Sequence, residues 1–231
     1  GTSGGVTVFG AKMSFPGTNA VGSTLEWIRR CLCAEEERAA TEEGVSVFDR
    51  IVQAAERSPV GANGVLFLPY LTNERGYRRN PKTKGVFFGL GLTTTHDDLL
   101  RAGIEGILLN LYGYVKRFRE GGHIIKVLNA NGGLSKSPII RQMMADITGS
   151  YIVTMQNSAW SGPTGCAMLA CTAIGEAADI FEAEERFVRM ESMTEPDPKN
   201  HEKYEKIYEL WEALYEAQIP LFEKQFDLQN H

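Results

Sequence analysis

The chain has 231 residues, 43% of them hydrophobic, which is enough to bury a sizeable core as one large domain or slightly more. Its 29 acidic and 24 basic residues give a formal net charge of -5 without a basic cluster, which argues against nucleic acid or an anionic membrane as partner. No apolar run approaches the roughly 20 residues of a membrane span, and no charged-then-apolar leader stands before Val6. We therefore expect a cytoplasmic protein that binds small molecules.

The first five residues, Gly1-Thr2-Ser3-Gly4-Gly5, are typical of a phosphate-binding turn. Glycines in such a turn let backbone N–H groups approach an anion, while hydroxyls such as those of Thr2 and Ser3 donate from the side. A strand is predicted directly afterwards, over residues 6–9. Two interpretations stay open here, a working phosphate turn and an unstructured Gly/Ser terminal segment.

Two helices are predicted in the region that follows. Ser23, with Glu26 three residues later, forms a capping box that predicts a helix to about residue 40. A second helix is predicted over residues 47–57, because Pro59 prevents its continuation.

The cysteines and histidines show no recognisable pattern of disulfides or metal ligands. Cys31 and Cys33 stand two apart in a helical stretch, where their side chains point to different faces. Cys166 and Cys171 lie in a second helical stretch of small residues, and the histidines are scattered. We expect four reduced thiols and no metal site formed by these residues.

A buried strand and a long polar segment follow. Residues 64–70 are apolar and bounded by helix breakers, which predicts a fully buried strand. Residues 71–91 have no clear periodicity, and segments of this kind inside a compact domain are usually functional. We interpret Glu74 and Arg75 within that segment as a solvated ion pair.

The best-defined helix begins after this segment. Thr95 and Asp98 form a capping box, and an apolar stripe continues until Gly121 and Gly122. Asp97 and Asp98 could be read as a pair of catalytic carboxylates. Their position in the first turn favours the structural role of complementing the helix dipole.

A strand-turn-helix unit carries the strongest local signal. A strand is predicted over residues 124–128, a turn over 129–133 and a helix from Ser137 to Asp146. Gly132 and Gly133 would let a flat or anionic ligand lie against bare backbone at the positive end of that helix. A plain tight turn is the alternative. The hydroxyls of Ser135 and Ser137 favour the ligand.

The remaining elements complete an alternating pattern. A short strand is predicted over residues 151–153, a helix of small residues from Pro163, and an amphipathic helix after residues 196–198. Strands that alternate with helices predict a layered α/β domain.

Four stretches of the chain resemble motifs of one protein family. Three of them are Gly1-Thr2-Ser3-Gly4, residues 66–71 with Glu74-Arg75, and residues 85–90 followed by 98–105, where Gly103 is the one departure.

The fourth stretch comprises residues 132–138 followed by Gln142 and the pair Ala145-Asp146. It is similar to an adenosine motif, Gly-Gly-Gly-Ala-x-Ser-Pro, with Leu134 and Ser135 replacing the third glycine and the alanine. With these motifs, roughly the first 180 residues resemble the C-terminal half of the FGGY carbohydrate kinases, most closely the xylulose kinase branch.

The resemblance implies an actin-like ATPase, ribonuclease-H-like α/β domain with a mixed sheet flanked by helices. Residues 1–231 would form the nucleotide-binding C-terminal domain with a helical tail at about 199–226, and the N-terminal sugar-binding domain would lie outside this chain. ATP and Mg²⁺ are the implied cofactors, and a catalytic aspartate is expected before Gly1. The implied nucleotide-binding residues are Gly1, Thr2 and Ser3 at the phosphates, and Gly132, Gly133, Ser137 and Gln142 at the adenosine.

The implied function is phosphorylation of a pentulose such as D-xylulose, with ribulose, gluconate and erythritol still open, and the chain alone is expected to be inactive. Two other functions stay open: a free-standing nucleotide-binding or regulatory module without transfer chemistry, and an interaction scaffold that uses Tyr204, Tyr208 and Trp211. The apolar stripe of that last helix otherwise predicts packing against its own domain or against a second copy in a homodimer.

Overall fold

The computed structural model describes residues 3–6, 12–15, 18, 21–74, 76 and 78–229. The chain forms two compact units, of which unit 1 comprises Gly1–Ile124 with Pro198–His231 and unit 2 comprises Ile125–Asp197.

The described residues form seven strands and eight α-helices, numbered in chain order. The strands are β1 (Ser3–Val6), β2 (Lys12–Phe15), β3 (Leu66–Leu68), β4 (Val86–Phe88), β5 (Val127–Asn129), β6 (Tyr151–Met155) and β7 (Met190–Thr194). The helices are α1 (Gly22–Leu32), α2 (Ala34–Glu43), α3 (Val47–Arg57), α4 (His96–Glu120), α5 (Pro138–Thr148), α6 (Ser161–Ala173), α7 (Ile180–Phe187) and α8 (Pro198–Gln229).

The strands pair into three small sheets within the described residues. In unit 1, β1 pairs with β2 and β3 pairs with β4, both antiparallel. In unit 2, β6 lies between β5, to which it is parallel, and β7, to which it is antiparallel. Two parallel neighbours need a crossover connection, and α5 provides it while packing against β6.

Helix α4 is the central element of unit 1, and most of its 25 residues are buried. It begins with the predicted capping box, in which Thr95 accepts a hydrogen bond from the Asp98 N–H and the Asp98 carboxylate accepts one from the Thr95 N–H. Burial raises the pKa of Asp98, but hydrogen bonds from Ser58, Thr95 and Asn63 together lower it by more, so the net shift is downward. The dipole-complementing role predicted for the first turn is thus confirmed for Asp98, and Asp97 pairs with Arg57.

Close contact between α4 and β3 requires a glycine. A Cβ atom built on Gly106 would lie 2.3 Å from the carbonyl oxygen of Phe67, a distance that real Cβ atoms do not reach. At Gly103, the same atom would meet only the side chain of Ile28 on α1, whose Cδ1 would lie 2.7 Å away. Gly106 is therefore a requirement of the backbone packing, whereas Gly103 faces a neighbour that can move.

Two charged residues buried on α4 are satisfied by partners on neighbouring helices and at their ends. The Arg101 guanidinium donates to Glu105 Oε1 at 2.7 Å and to the Ser58 carbonyl at the end of α3, also at 2.7 Å. Glu105 also accepts from the Tyr204 hydroxyl of α8 at 2.7 Å. Burial, followed by the Glu105 carboxylate, raises the pKa of Tyr204, which keeps its hydroxyl a donor. A buried charge paired and hydrogen-bonded in this way joins three helices.

The last helix packs on its own unit. Trp211 is fully buried, and its indole N–H donates to the Phe67 carbonyl on β3 at 2.8 Å. Tyr204 and Tyr208 are buried as well. The scaffold interpretation, which needs these three side chains for a partner, is therefore wrong, and the helix predicted at about 199–226 extends over Pro198–Gln229.

The N-terminal elements differ from the sequence prediction. The first strand begins at Ser3 and not at Val6, because residues 3–6 pair with residues 12–15. The helix predicted from Ser23 to about residue 40 is divided into α1 and α2 at Cys33. The predicted Ser23 capping box is wrong, since α1 has Val21 as its N-cap residue and the Glu26 carboxylate pairs with Arg29 of the following turn.

The long polar segment contains a strand and a buried carboxylate. β4 lies within residues 71–91 and pairs with the predicted buried strand β3, so the segment is not irregular throughout. Glu74 is only 3% exposed, which corrects its interpretation as half of a solvated pair. Arg75 lies outside the described residues.

Unit 2 contains two elements for which the sequence analysis gives no bounds, α7 and β7. β7 has a partly exposed burial pattern and lacks the apolar run that identified β3.

We expect Gly106→Ala to lower the free energy of unfolding in urea. Overpacking costs about 1–3 kcal/mol, which exceeds the gain of up to about 1 kcal/mol from replacing glycine by alanine in a helix. Gly103→Ala is the matched control, and its loss should be smaller because the Ile28 side chain can rotate. Equal stability of the two variants would contradict the explanation that the contact between Gly106 and the Phe67 carbonyl causes the loss of stability.

Candidate functional site

The turn that follows β5 presents open backbone. Gly132 has φ +98, a conformation that side-chain-bearing residues rarely adopt, whereas Gly133 has helical angles. Both glycines are exposed, and no atom beyond their chain neighbours lies within 4 Å of a Cβ built on either one. The peptide groups here are accessible to a ligand, as predicted from the two glycines.

Two side chains that follow hold the turn in place. Ser135 is buried, and its hydroxyl donates to the Gly132 carbonyl at 2.9 Å. The Arg141 guanidinium donates to the carbonyls of Ser135 and Lys136 at 2.8 and 3.0 Å. The Ser135 hydroxyl therefore stabilises the turn, which corrects its interpretation as a ligand group.

The turn leads directly into a capped helix. Ser137 is the N-cap of α5 and accepts a hydrogen bond from the Ile140 N–H at 3.4 Å, with Pro138 in the first helical turn. The first N–H groups of a helix carry partial positive charge and favour anionic or polar acceptor groups. A glycine turn is thus followed directly by a capped helix, which is the local arrangement that the sequence predicted.

Gln142 has a structural role. Its amide nitrogen donates to Asp146 Oδ1 at 2.7 Å and to the Glu195 carbonyl at 2.9 Å. Asp146 Oδ1 also accepts from the Asp197 N–H at 2.8 Å. Both hydrogens of the Gln142 amide are thus engaged in joining α5 to the segment after β7, which leaves no amide donor for an adenosine.

A cavity of about 230 Å³ with both polar and apolar lining opens at the carboxyl ends of the parallel strands β5 and β6. Ligands of open α/β sheets bind at this edge. Sequence reasoning missed its lining, although Asn131 immediately precedes the two glycines and Asn157 and Ser158 directly follow β6. The polar side chains and backbone that line it belong to Asn129, Asn131, Gln156, Asn157, Ser158, Ser161, Thr164, Gly165 and Glu184.

The phosphate end of the predicted site is only partly described. Gly1 and Thr2 lie outside the described residues, and Ser3 is the first residue of β1, whose backbone is in a strand and not in a turn. Gly132, Gly133, Ser137 and Gln142 all belong to unit 2, whereas Ser3 belongs to unit 1.

Among the described residues, no group of three or more His, Cys, Asp or Glu side chains is placed to hold a metal ion. None of the described helices is long and apolar enough to cross a membrane. The four cysteines are free thiols, as predicted.

Solved structures that superpose on the chain define its class. A ligand-bound xylulose kinase from Lactobacillus acidophilus superposes with a TM-score of 0.82 at 28% identity, covering 92% of this chain and 41% of that one. Gluconate kinase from the same organism superposes with a TM-score of 0.79 at 29% identity, covering 90% and 40%. The expected fold class, an actin-like ATPase domain with a mixed sheet flanked by helices, is confirmed.

The sequence comparisons identify the family. The chain belongs to the FGGY family of carbohydrate kinases, since the family's C-terminal domain matches residues 6–174. It is 34% identical to the xylulose kinase of Staphylococcus epidermidis over 192 residues, which are 83% of this chain and 36% of that protein. It is also 33% identical to the gluconokinase of Bacillus licheniformis over 191 residues, 82% of this chain and 37% of that protein. The chain thus spans little more than a third of the length of these relatives.

We expect Gly132→Ala to be less stable than Gly133→Ala. Both sites have room for a methyl group, so the difference isolates the backbone angle. A left-handed or similarly strained conformation of a non-glycine residue costs about 1–3 kcal/mol, whereas a helical position accepts alanine. Thermal unfolding of the two variants measures the difference, and an equal melting temperature would refute the assigned geometry of the turn.

Proposed function

We propose that the chain is the nucleotide-binding part of an ATP-dependent sugar kinase whose substrate is a pentulose, with D-xylulose as the first candidate. The observation that carries this proposal is the open backbone of Gly132 and Gly133 between a parallel strand and the N-terminus of α5. Membership of the carbohydrate kinase family supports the reaction class, and the xylulose kinases among the relatives support the sugar.

In this proposal the adenosine of ATP or ADP binds at the turn of unit 2. Peptide N–H groups and the α5 N-terminus supply donors, and bare glycine backbone allows close approach. Ser137 contributes through its place at the start of the helix. Gln142 acts indirectly by fixing α5 through Asp146, and the phosphates are assigned to residues 1–3.

The transfer step is proposed for the whole protein. Phosphoryl transfer depends on positioning and on stabilisation of charge more than on covalent chemistry by the protein. We assign the sugar pocket and the carboxylate that accepts the sugar proton to the part of the protein that this chain does not cover. Mg²⁺ would accompany the nucleotide in such a reaction, but the described residues contain no matching carboxylate cluster, so no ligand for it is assigned.

Several sugars remain compatible with this function. Relatives of almost equal identity are called xylulose kinase and gluconokinase, and a ribulokinase from Mycolicibacterium smegmatis is 27% identical. Phosphorylation of D-xylulose, D-ribulose, D-gluconate and erythritol by the complete gene product separates these substrates. We expect the highest kcat/KM with D-xylulose and no turnover by the 231-residue chain alone. ATP binding without phosphorylation of any sugar would favour the free-standing module.

The nucleotide assignment is tested by adding a branched side chain to the turn. Gly133→Val should weaken ATP binding to the complete gene product about fivefold or more, since one lost close backbone contact is worth about 1 kcal/mol or more. Gly133→Ala is the matched control and should retain most of the affinity, because helical angles and open space accept a methyl group. Titration calorimetry measures both, and unchanged affinity of the valine variant would exclude this turn as the adenosine site.

A further inference from the structure

The loop between β3 and β4 is held by a helix that lies beyond the family match. The match ends at residue 174, whereas α8 begins at Pro198. The loop carries Glu74 and Arg75, the pair whose surroundings resemble a family motif. Within unit 1, side chains of α8 reach this loop through Arg78.

The Arg78 guanidinium is enclosed by α8. Its side chain is 6% exposed and pairs with the carboxylates of Glu212 and Glu216. The guanidinium carbon lies 3.8 Å from the centroid of the Tyr215 ring and 5.7 Å from that of the Trp211 ring. A planar cation stacked on aromatic rings and paired with carboxylates cannot be replaced by lysine without loss of the stacking.

The Arg78 charge also acts on a carboxylate of its own loop. Burial raises the pKa of Glu74, and a hydrogen bond from the Gly76 N–H and the charge of Arg78 offset this only in part, so the net shift is upward. The second carboxylate oxygen of Glu74 is buried and has no hydrogen-bond partner among the described residues. Arg78 thus pairs with Glu212 and Glu216 of the helix, and its positive charge also acts to lower the pKa of Glu74 in the loop.

The loop also contacts α4, where the backbone at Gly76 packs against Tyr114. A Cβ atom on Gly76 would overlap the hydroxyl of Tyr114 and the carboxylate of Glu74, so the backbone passes directly over both groups. At the start of the loop, the Tyr70 hydroxyl donates to Asn110 Oδ1 at 3.2 Å, and Asn110 donates to Thr18 at 3.0 Å. One end of the loop is thus fixed by α4, and its middle is fixed by α8.

We propose that Arg78 is a positioning residue through which α8 holds the loop, and with it the buried carboxylate of Glu74, in the conformation needed for phosphoryl transfer. The kinetic part of this proposal rests on the proposed kinase function. The clamp itself, Arg78 of the loop held by Glu212, Glu216 and Tyr215 of α8, does not.

The clamp is tested on the complete gene product by limited trypsin digestion, because the loop carries basic residues on both sides of Arg78. Arg78→Lys and Tyr215→Leu should each increase cleavage of the loop about tenfold. Each removes the stacking of the guanidinium on the Tyr215 ring, which weakens the attachment of the loop to α8. Glu209→Gln, an exposed residue of the same helix, is the control and should leave cleavage unchanged. Unchanged cleavage in both test variants would overturn the clamp, as would cleavage that rises only in proportion to a lowered melting temperature.

The same variants test the positioning role through kinetics. We expect Arg78→Lys to lower kcat/KM for the sugar about tenfold, matching the opening of the loop, and to leave KM for ATP within about twofold, since the adenosine is assigned to unit 2. A released loop with unchanged sugar kinetics would overturn the positioning role. If the wild-type gene product phosphorylated no sugar, the proposed function would fail, and the cleavage rates would still decide the clamp.

Discussion

The structure of unit 1 depends on one constraint, that the buried polar groups of helix α4 must find partners inside the protein. Arg101 and Glu105 lie buried in its N-terminal half, and an unpaired charge at either place would cost several kcal/mol. They are satisfied by the end of α3 and by Tyr204 of α8. The C-terminal helix is therefore part of the core of unit 1. Because it is fixed there, it can in turn hold Arg78 and the loop between β3 and β4.

Much of the fold could be predicted from local signals. The capping box at Thr95 and the proline after α3 fix the ends of helices through contacts within a few residues, and both predictions are confirmed. The capping box at Ser23 failed because Glu26 pairs with Arg29, a competing contact of the same range. The burial of Glu74 could not be predicted, since it depends on partners far along the chain.

The candidate site was predictable in its backbone and less so in its side chains. Gly132 and Gly133 indicate an open turn because glycine leaves the peptide groups accessible, and at Gly132 it also permits the positive φ. Ser135 and Gln142 have the composition of ligand groups, yet both are used to hold the turn and α5. Some hydroxyl and amide side chains bind a ligand directly, whereas others hold in place the backbone that binds it. The sequence alone does not distinguish the two.

Hydrogen exchange of the complete gene product with and without Mg-ATP tests the central claim most directly, because it reports on the amide groups to which the nucleotide is assigned. The account predicts that ATP slows exchange in peptides covering residues 129–140, at the glycine turn and the first turn of α5. Unchanged exchange there, with ATP protecting only other parts of the chain, would contradict it.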